Sequence, residues 1–113
     1  MKLSTALSYT QDFPTTVERV VELEKAGLDT VWVAEAYGFD GVSLMGYLAA
    51  VTETVEIGAA ILPIYTRTPT LTAMTAASLD ALSDGRFGSP SPILVMTGGD
   101  PLEIGRASCR ERV

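Results

Sequence analysis

Apolar residues fall along this chain in two alternating rhythms. Unbroken apolar runs occur at residues 31–34 and 57–62, and between them lie segments whose apolar residues recur every three or four positions. The segment KLSTALS, residues 2–8, is half β-branched or apolar and predicts a first strand. DFPTTVERVVELEKAG then predicts a helix. Pro14 suits the first turn, Val17, Val20, Val21 and Leu28 form the stripe, Lys25 sits near the end and Gly27 fits the left-handed cap. DTVWVAEA predicts a second strand, whose continuous Val31, Trp32 and Val33 suit a parallel sheet covered on both faces.

FDGVSLMGYLAAVT predicts a second helix with Asp40 as its N-cap and an apolar face of Val42, Met45, Leu48, Ala49 and Val51. VEIGAAILP predicts the third strand. TPTLTAMTAASLDALSDG predicts the third helix, with Leu71, Met74, Ser78, Leu79 and Leu82 at helical spacing and Gly85 as its cap. Arg86 and Phe87 should open a fourth strand. Strands that alternate with helices through short connections indicate right-handed βαβ units and a parallel sheet. Two closures fit this order, an open doubly wound sheet or a (β/α)8 barrel. A barrel needs roughly 250 residues, so a chain of 113 would hold under half of one.

Composition narrows the chemistry. A hydrophobic fraction of 47% implies a packed core rather than disorder. A net charge of −6 argues against a broad nucleic-acid surface, which needs clustered Lys and Arg. No apolar run approaches the roughly 20 residues that span a bilayer, and the N-terminus is too short and broken an apolar stretch for a signal peptide, so a cytoplasmic setting is expected. A single cysteine, Cys109, excludes an internal disulfide framework or a Cys-rich zinc site, and with no histidine, Ser-His-Asp triads and His-ligated metals are excluded too.

In either closure, function gathers at the carboxyl ends of the strands. Ser8, Tyr9 and Thr10 follow the first strand, Glu35 and Tyr37 the second, and residues 60–67 the third. Glu35 is the one carboxylate of this set. At a strand end it is commonly a solvated or paired acid, yet its place directly after Trp32, Val33 and Ala34 favours a site. Tyr37 and Tyr65 either roof the core or stack on a ligand. Arg67, between two threonines near a helix start, is either a surface residue or an anion site. Gly58 with Ala59 and Ala60 either weakens the strand or leaves room for a bulge or a planar ligand. No GxGxxG and no P-loop is present, so the usual dinucleotide and nucleoside-triphosphate sites are unsupported.

LEKAGLDTVWVAEAYGFD and IGAAILPIYTRTPTLTAMTAASLDALSDGRF, with their spacing, resemble the N-terminal part of the luciferase-like monooxygenase superfamily, and within it the F420-dependent oxidoreductases. The resemblance spans about residues 1–87. It implies three to four βα units of a (β/α)8 TIM barrel, with a flavin or the deazaflavin F420 at the carboxyl end, and hydride transfer between F420 and a small organic substrate. FMN-dependent monooxygenation is the alternative, and a non-catalytic α/β binding module is a third reading. It also implies a bulged third strand with a non-prolyl cis peptide at Ala60–Ile61 behind the ring. Tyr65, Thr66 and Arg67 would line the phosphate or ribityl side, Ser8 would be a rim residue, and Glu35 would be the catalytic acid. Relatives that follow this acid with histidine differ from this chain, which has Ala36. The complete protein is expected to be a homodimer.

After Phe87 the sequence departs from the pattern, with Pro90, Pro92 and Pro101 close together. Residues 103–113, EIGRASCRERV, resemble the translation of a short-read sequencing adapter and are set aside from the fold, leaving residues 88–102 as an uncertain join. Three or four of the eight βα units of a parallel barrel leave strand edges and inner faces uncovered, so the isolated chain is expected to be insoluble, molten or self-associating.

Overall fold

The computed structural model describes residues 1–7, 12–35, 38–88 and 94–96. The element order is β1 (Ser4–Ala6), α1 (Phe13–Lys25), β2 (Thr30–Ala34), α2 (Gly41–Val51), β3 (Glu56–Pro63), a 3-10 turn (Ile64–Thr66), α3 (Pro69–Leu82) and β4 (Leu94–Met96). All the strand pairs are parallel, and the sheet runs β1-β2-β3-β4.

That sequential order decides between the two closures. A doubly wound sheet reverses its strand order at a switch point, which puts helices on both faces. Right-handed crossovers between strands that never reverse put every helix on one face, as in a barrel wall. Burial agrees. Val31 and Val33 of β2 and Ile57, Ala59 and Leu62 of β3 share one core with Val17 and Val20 of α1, Leu44, Met45 and Leu48 of α2, and Leu79 of α3. On the opposite face Ala6 is exposed, and Trp32, Ala34 and Ile61 are half-buried.

Each helix starts on a side-chain cap. Asp12 accepts from Thr15 N (3.2 Å), Asp40 from Ser43 N (2.7 Å) and the Thr68 hydroxyl from Leu71 N (3.1 Å). These bonds satisfy N–H groups that have no intrahelical partner. Gly27, at φ +98°, turns the chain out of α1 toward β2 in a conformation that a Cβ would disfavour.

Two sequence expectations change. On α2, Leu44 is buried where Val42 and Val51 are only half-buried. On α3, Leu71, Met74 and Leu82 point outward at 43%, 62% and 68% exposure. The less exposed stripe is instead Thr72, Thr75, Ala76, Leu79 and Ser83, whose spacing is equally helical. Parallel pairing with β3 begins where Arg86 and Phe87 were expected to open a strand: Phe87 bridges Ile57, with Ile57 N–H donating to Arg86 O and Gly88 N–H to Ile57 O, and Leu94, Val95 and Met96 pair with Ile61, Leu62 and Pro63. Residues 89–93 between them lie outside the described residues.

A candidate cofactor rim at the carboxyl ends of the strands

The rim is organised by a bulge in β3. Val33 pairs with Ala59 and Ala34 with Ile61, so Ala60 is an extra residue on the β3 side. Among the described residues no peptide bond is cis, so the Ala60–Ile61 bond is trans rather than cis. A trans bond is favoured by about 3–4 kcal/mol at a non-prolyl peptide, and here the register shift alone absorbs the extra residue. Glu35 N–H donates to Ile61 O at 2.8 Å, which fixes the end of β2 against the bulge.

Gly58, below the bulge, leaves no open space for a ligand. An added Cβ there would collide with the Trp32 ring, whose atoms Cζ3 and Cε3 already fill the position. The glycine pairs with Trp32 across the strands, and its missing side chain is what lets the indole lie flat on the sheet.

Above the bulge three charged side chains meet. Arg67 Nη2 donates to Glu35 Oε2 at 3.1 Å and to Asp40 Oδ1 at 2.7 Å. Gly41 N–H donates to the same Glu35 oxygen at 3.0 Å. The side chains of Arg67 and Glu35 are only 13% and 15% exposed, so this pair is largely out of water, whereas Asp40 is 46% exposed. Asp40 also accepts from the Ser43 hydroxyl at 2.6 Å. That bond, with the Ser43 N–H and the Arg67 charge, holds the Asp40 carboxyl below its ordinary range against the opposing effect of burial. Arg67 Nε is buried and has no hydrogen-bond partner among the described residues.

The fold thus brings Glu35 and Arg67 together, from two different strand ends. Thr66 turns its hydroxyl back to Pro63 O at 3.0 Å, closing the 3-10 turn, and Tyr65 stands 81% exposed on that turn. Ala60 and Ile61 are half-buried at the bulge. Ser8, Tyr9, Thr10 and Tyr37 lie outside the described residues. The sequence assigned Asp40 only a capping role. Its second bond, to Arg67, depends on the tertiary approach of two loops and left no local signal. Beside the rim, and sharing Asp40 and Ser43 with it, Phe13, Phe39, Leu44 and Tyr47 line a cavity of about 330 Å3, with Phe13 and Phe39 edge to face at 4.8 Å.

The profile of the luciferase-like monooxygenase family matches residues 1–104. The chain belongs to the luciferase-like monooxygenase family. A Mycobacterium tuberculosis protein provisionally named a coenzyme F420-dependent oxidoreductase is 40% identical over 88 residues, which is 76% of this chain and 25% of the relative. A 5,10-methylenetetrahydromethanopterin reductase of Methanopyrus kandleri is 34% identical over 79 residues, 66% of this chain and 22% of its own length. Luciferase-family members therefore extend well beyond what is seen here, and this chain spans about a quarter of these curated relatives.

Two solved structures share the fold. The F420-dependent tetrahydromethanopterin reductase of M. kandleri superposes with a TM-score of 0.67 at 21% identity, over 95% of this chain and 29% of its own. The oxygenating constituent of 3,6-diketocamphane monooxygenase from Pseudomonas putida, in complex with FMN, gives 0.70 at 14% identity, over 97% and 38%. These likenesses identify the sheet and helices as part of a (β/α)8 barrel. Among the described residues no three acidic, Cys or His side chains cluster to hold a metal ion, and no helix is long and apolar enough to cross a membrane.

Proposed function

We propose that this chain supplies the cofactor rim of an F420-dependent oxidoreductase, which transfers hydride between the deazaflavin and a small organic substrate. The observation that carries the reading is the 40% identity to the M. tuberculosis protein, which spans every rim residue described above. The residues suit the group. Ala34, Ala60 and Ile61 offer small, half-buried surface at the bulge for a flat ring, and the unpartnered Arg67 Nε–H offers a buried donor to an anionic or carbonyl oxygen. The Arg67 charge is itself balanced by Glu35 and Asp40, so phosphate binding would draw on that single N–H and on Thr66 and Tyr65 nearby rather than on a free cation.

The cofactor supplies the hydride chemistry. The chain's part is to bind and orient it, and Glu35, as the rim carboxylate beside the bulge, is assigned the proton. Ser8, Ala60, Ile61, Tyr65, Thr66 and Arg67 are assigned to the cofactor. The complete enzyme is assigned a homodimeric state.

A chimera tests this, with residues 1–88 replacing the corresponding quarter of the M. tuberculosis relative. F420 fluorescence should be quenched on titration, and FMN should bind far more weakly. Glu35→Gln keeps an acceptor for Arg67 and Gly41 but cannot take a proton. It should lower kcat by about 10²–10⁴-fold while leaving F420 binding intact. FMN binding without F420 binding would replace the reading with the monooxygenase one, which the FMN complex of the P. putida structure favours.

A further inference from the structure

Asp12 and Asp40 cap their helices with the same kind of donors but use their oxygens differently. Asp12 accepts from Thr15 N on Oδ1 (3.2 Å) and from the Thr15 hydroxyl on Oδ2 (2.6 Å), so both oxygens serve the cap. Asp40 accepts from Ser43 N (2.7 Å) and from the Ser43 hydroxyl (2.6 Å) on Oδ2 alone. Its Oδ1 is left for Arg67 Nη2, at 2.7 Å. The same Nη2 donates to Glu35 Oε2 at 3.1 Å, and that oxygen also accepts from Gly41 N–H. Asp40 therefore holds Arg67 by the shorter of these two bonds. A guanidinium is planar, and its N–H bonds point in fixed directions. With one acceptor the plane can turn about a single hydrogen bond. Two acceptors on one nitrogen fix the plane, and the buried Nε–H that lies in it is fixed with it. Every group in this arrangement belongs to the β2–α2 and β3–α3 segments, inside the sheet rather than at its ends.

We infer that Asp40 is a positioning residue for the cofactor: through Arg67 it holds the spare Nε–H in the direction from which that donor serves an anionic or carbonyl oxygen of the bound deazaflavin. The inference rests on the F420 reading above. Asp40 acts through the guanidinium and need not touch the cofactor. Capping α2 occupies only one of its oxygens, so the second is free for this role. A serine caps a helix about as well as an aspartate, but it has no second oxygen to offer.

Asp40→Ser therefore separates the two roles, since the hydroxyl can accept from Ser43 N but cannot also reach Arg67. In the chimera that completes the barrel, it should lower F420 affinity by roughly threefold to tenfold, the cost of a donor no longer pre-oriented. The Arg67 Nε–H resonance of the unliganded chimera, followed by proton–nitrogen NMR, should exchange with water at least about tenfold faster than without the substitution. Asp12→Ser, the matching change at the other aspartate cap, should move neither quantity. In an Arg67→Lys background, which has no Nε–H, Asp40→Ser should lower the affinity no further, whereas a purely structural role for Asp40 would still show. Affinity and exchange unchanged by Asp40→Ser, an equal loss with Asp12→Ser, or a loss that persists in full beside Arg67→Lys would overturn the inference. If Asp40→Ser does not fold, the Arg67 Nε–H of the unsubstituted chimera decides, and rapid exchange there refutes it. If the unsubstituted chimera binds no F420, the proposed function falls and this inference with it. If it binds F420 and the Asp40→Ser results fail, only this inference falls.

Discussion

The two ends of the sheet use the same charged groups in opposite ways. At the amino end, Glu24 reaches across from α1, and its Oε1 accepts from Glu53 N, Thr54 N and Val55 N at 2.9, 2.6 and 2.8 Å. Nearby, Arg86 donates to Ser83 O, Thr52 Oγ1, Val55 O, Ala49 O and Thr52 O, all between 2.7 and 3.0 Å. Both charges are spent on backbone. Arg86 takes the carbonyls that the end of α2 leaves open, and its positive charge suits that helix end. At the carboxyl end Arg67, Glu35 and Asp40 bond to one another, and Arg67 keeps one buried N–H without a partner among the described residues. A charge satisfied by backbone holds a fold together. A charge pair with a spare donor is what a ligand site would need. This is the division of labour expected of a barrel, with stability at the amino face and chemistry at the carboxyl face.

The largest effect should follow from breaking the amino end. Arg86→Ala leaves several half-buried carbonyls without a donor and should lower stability by about 2–4 kcal/mol, read from the urea midpoint. Arg86→Lys should recover little of this, because an ammonium cannot span five acceptors with a planar fork.

Gly58→Ala comes next. The new methyl would drive Trp32 off the sheet, at a cost of about 1–3 kcal/mol. Trp32 is the only tryptophan, so its fluorescence should shift toward that of an exposed indole as stability falls. An unchanged spectrum would contradict the packing described.

Glu24→Gln should be milder, about 1–2 kcal/mol at neutral pH, because a neutral amide oxygen accepts the same three N–H groups less strongly. It also has a pH signature. Burial pushes the Glu24 carboxyl up, but the N–H donors of Thr54, Val55 and Glu53 and the Thr54 hydroxyl together outweigh it and hold it below the ordinary value of 4.5. A depressed folded value means stability that is present above pH 4.5 and is lost as pH falls through the lower folded value. The substitution should flatten that acid limb of the stability curve.

Much of this was legible in the sequence, and the reasons it was or was not are local. Pro14 and Asp40 announced two helix starts because such signals are a matter of neighbouring residues. The order of βα units announced a parallel sheet. The small-residue stripe of α3 was hidden because that helix is apolar or small all round, so Leu71, Met74 and Leu82 offered a false face at the same period. The rim was half legible. Glu35 and Arg67 could be placed at strand ends, but their bond, and the Asp40 bond beside it, exist only once β2 and β3 lie together. Glu24 and Arg86 were missed for the same reason, since each serves backbone about 30 residues away. Gly58 looked like room for a ligand until the indole of Trp32, across the ladder, was seen to occupy it.

The smallest stability change should come from the rim itself. After Arg67→Lys, an ammonium can still pair with Glu35 and Asp40, so the loss should be about 1 kcal/mol or less, while the Nε–H donor is gone. The decisive measurement is therefore F420 affinity against melting temperature for the chimera carrying Arg67→Lys. The account predicts affinity lowered by roughly tenfold or more, for one lost charge-assisted donor, with the melting temperature nearly unchanged. Unchanged affinity, with a melting temperature lowered as far as in Arg86→Ala, would show that the carboxyl-end charges serve the fold like those at the amino end, and would contradict the assignment of this rim to a cofactor.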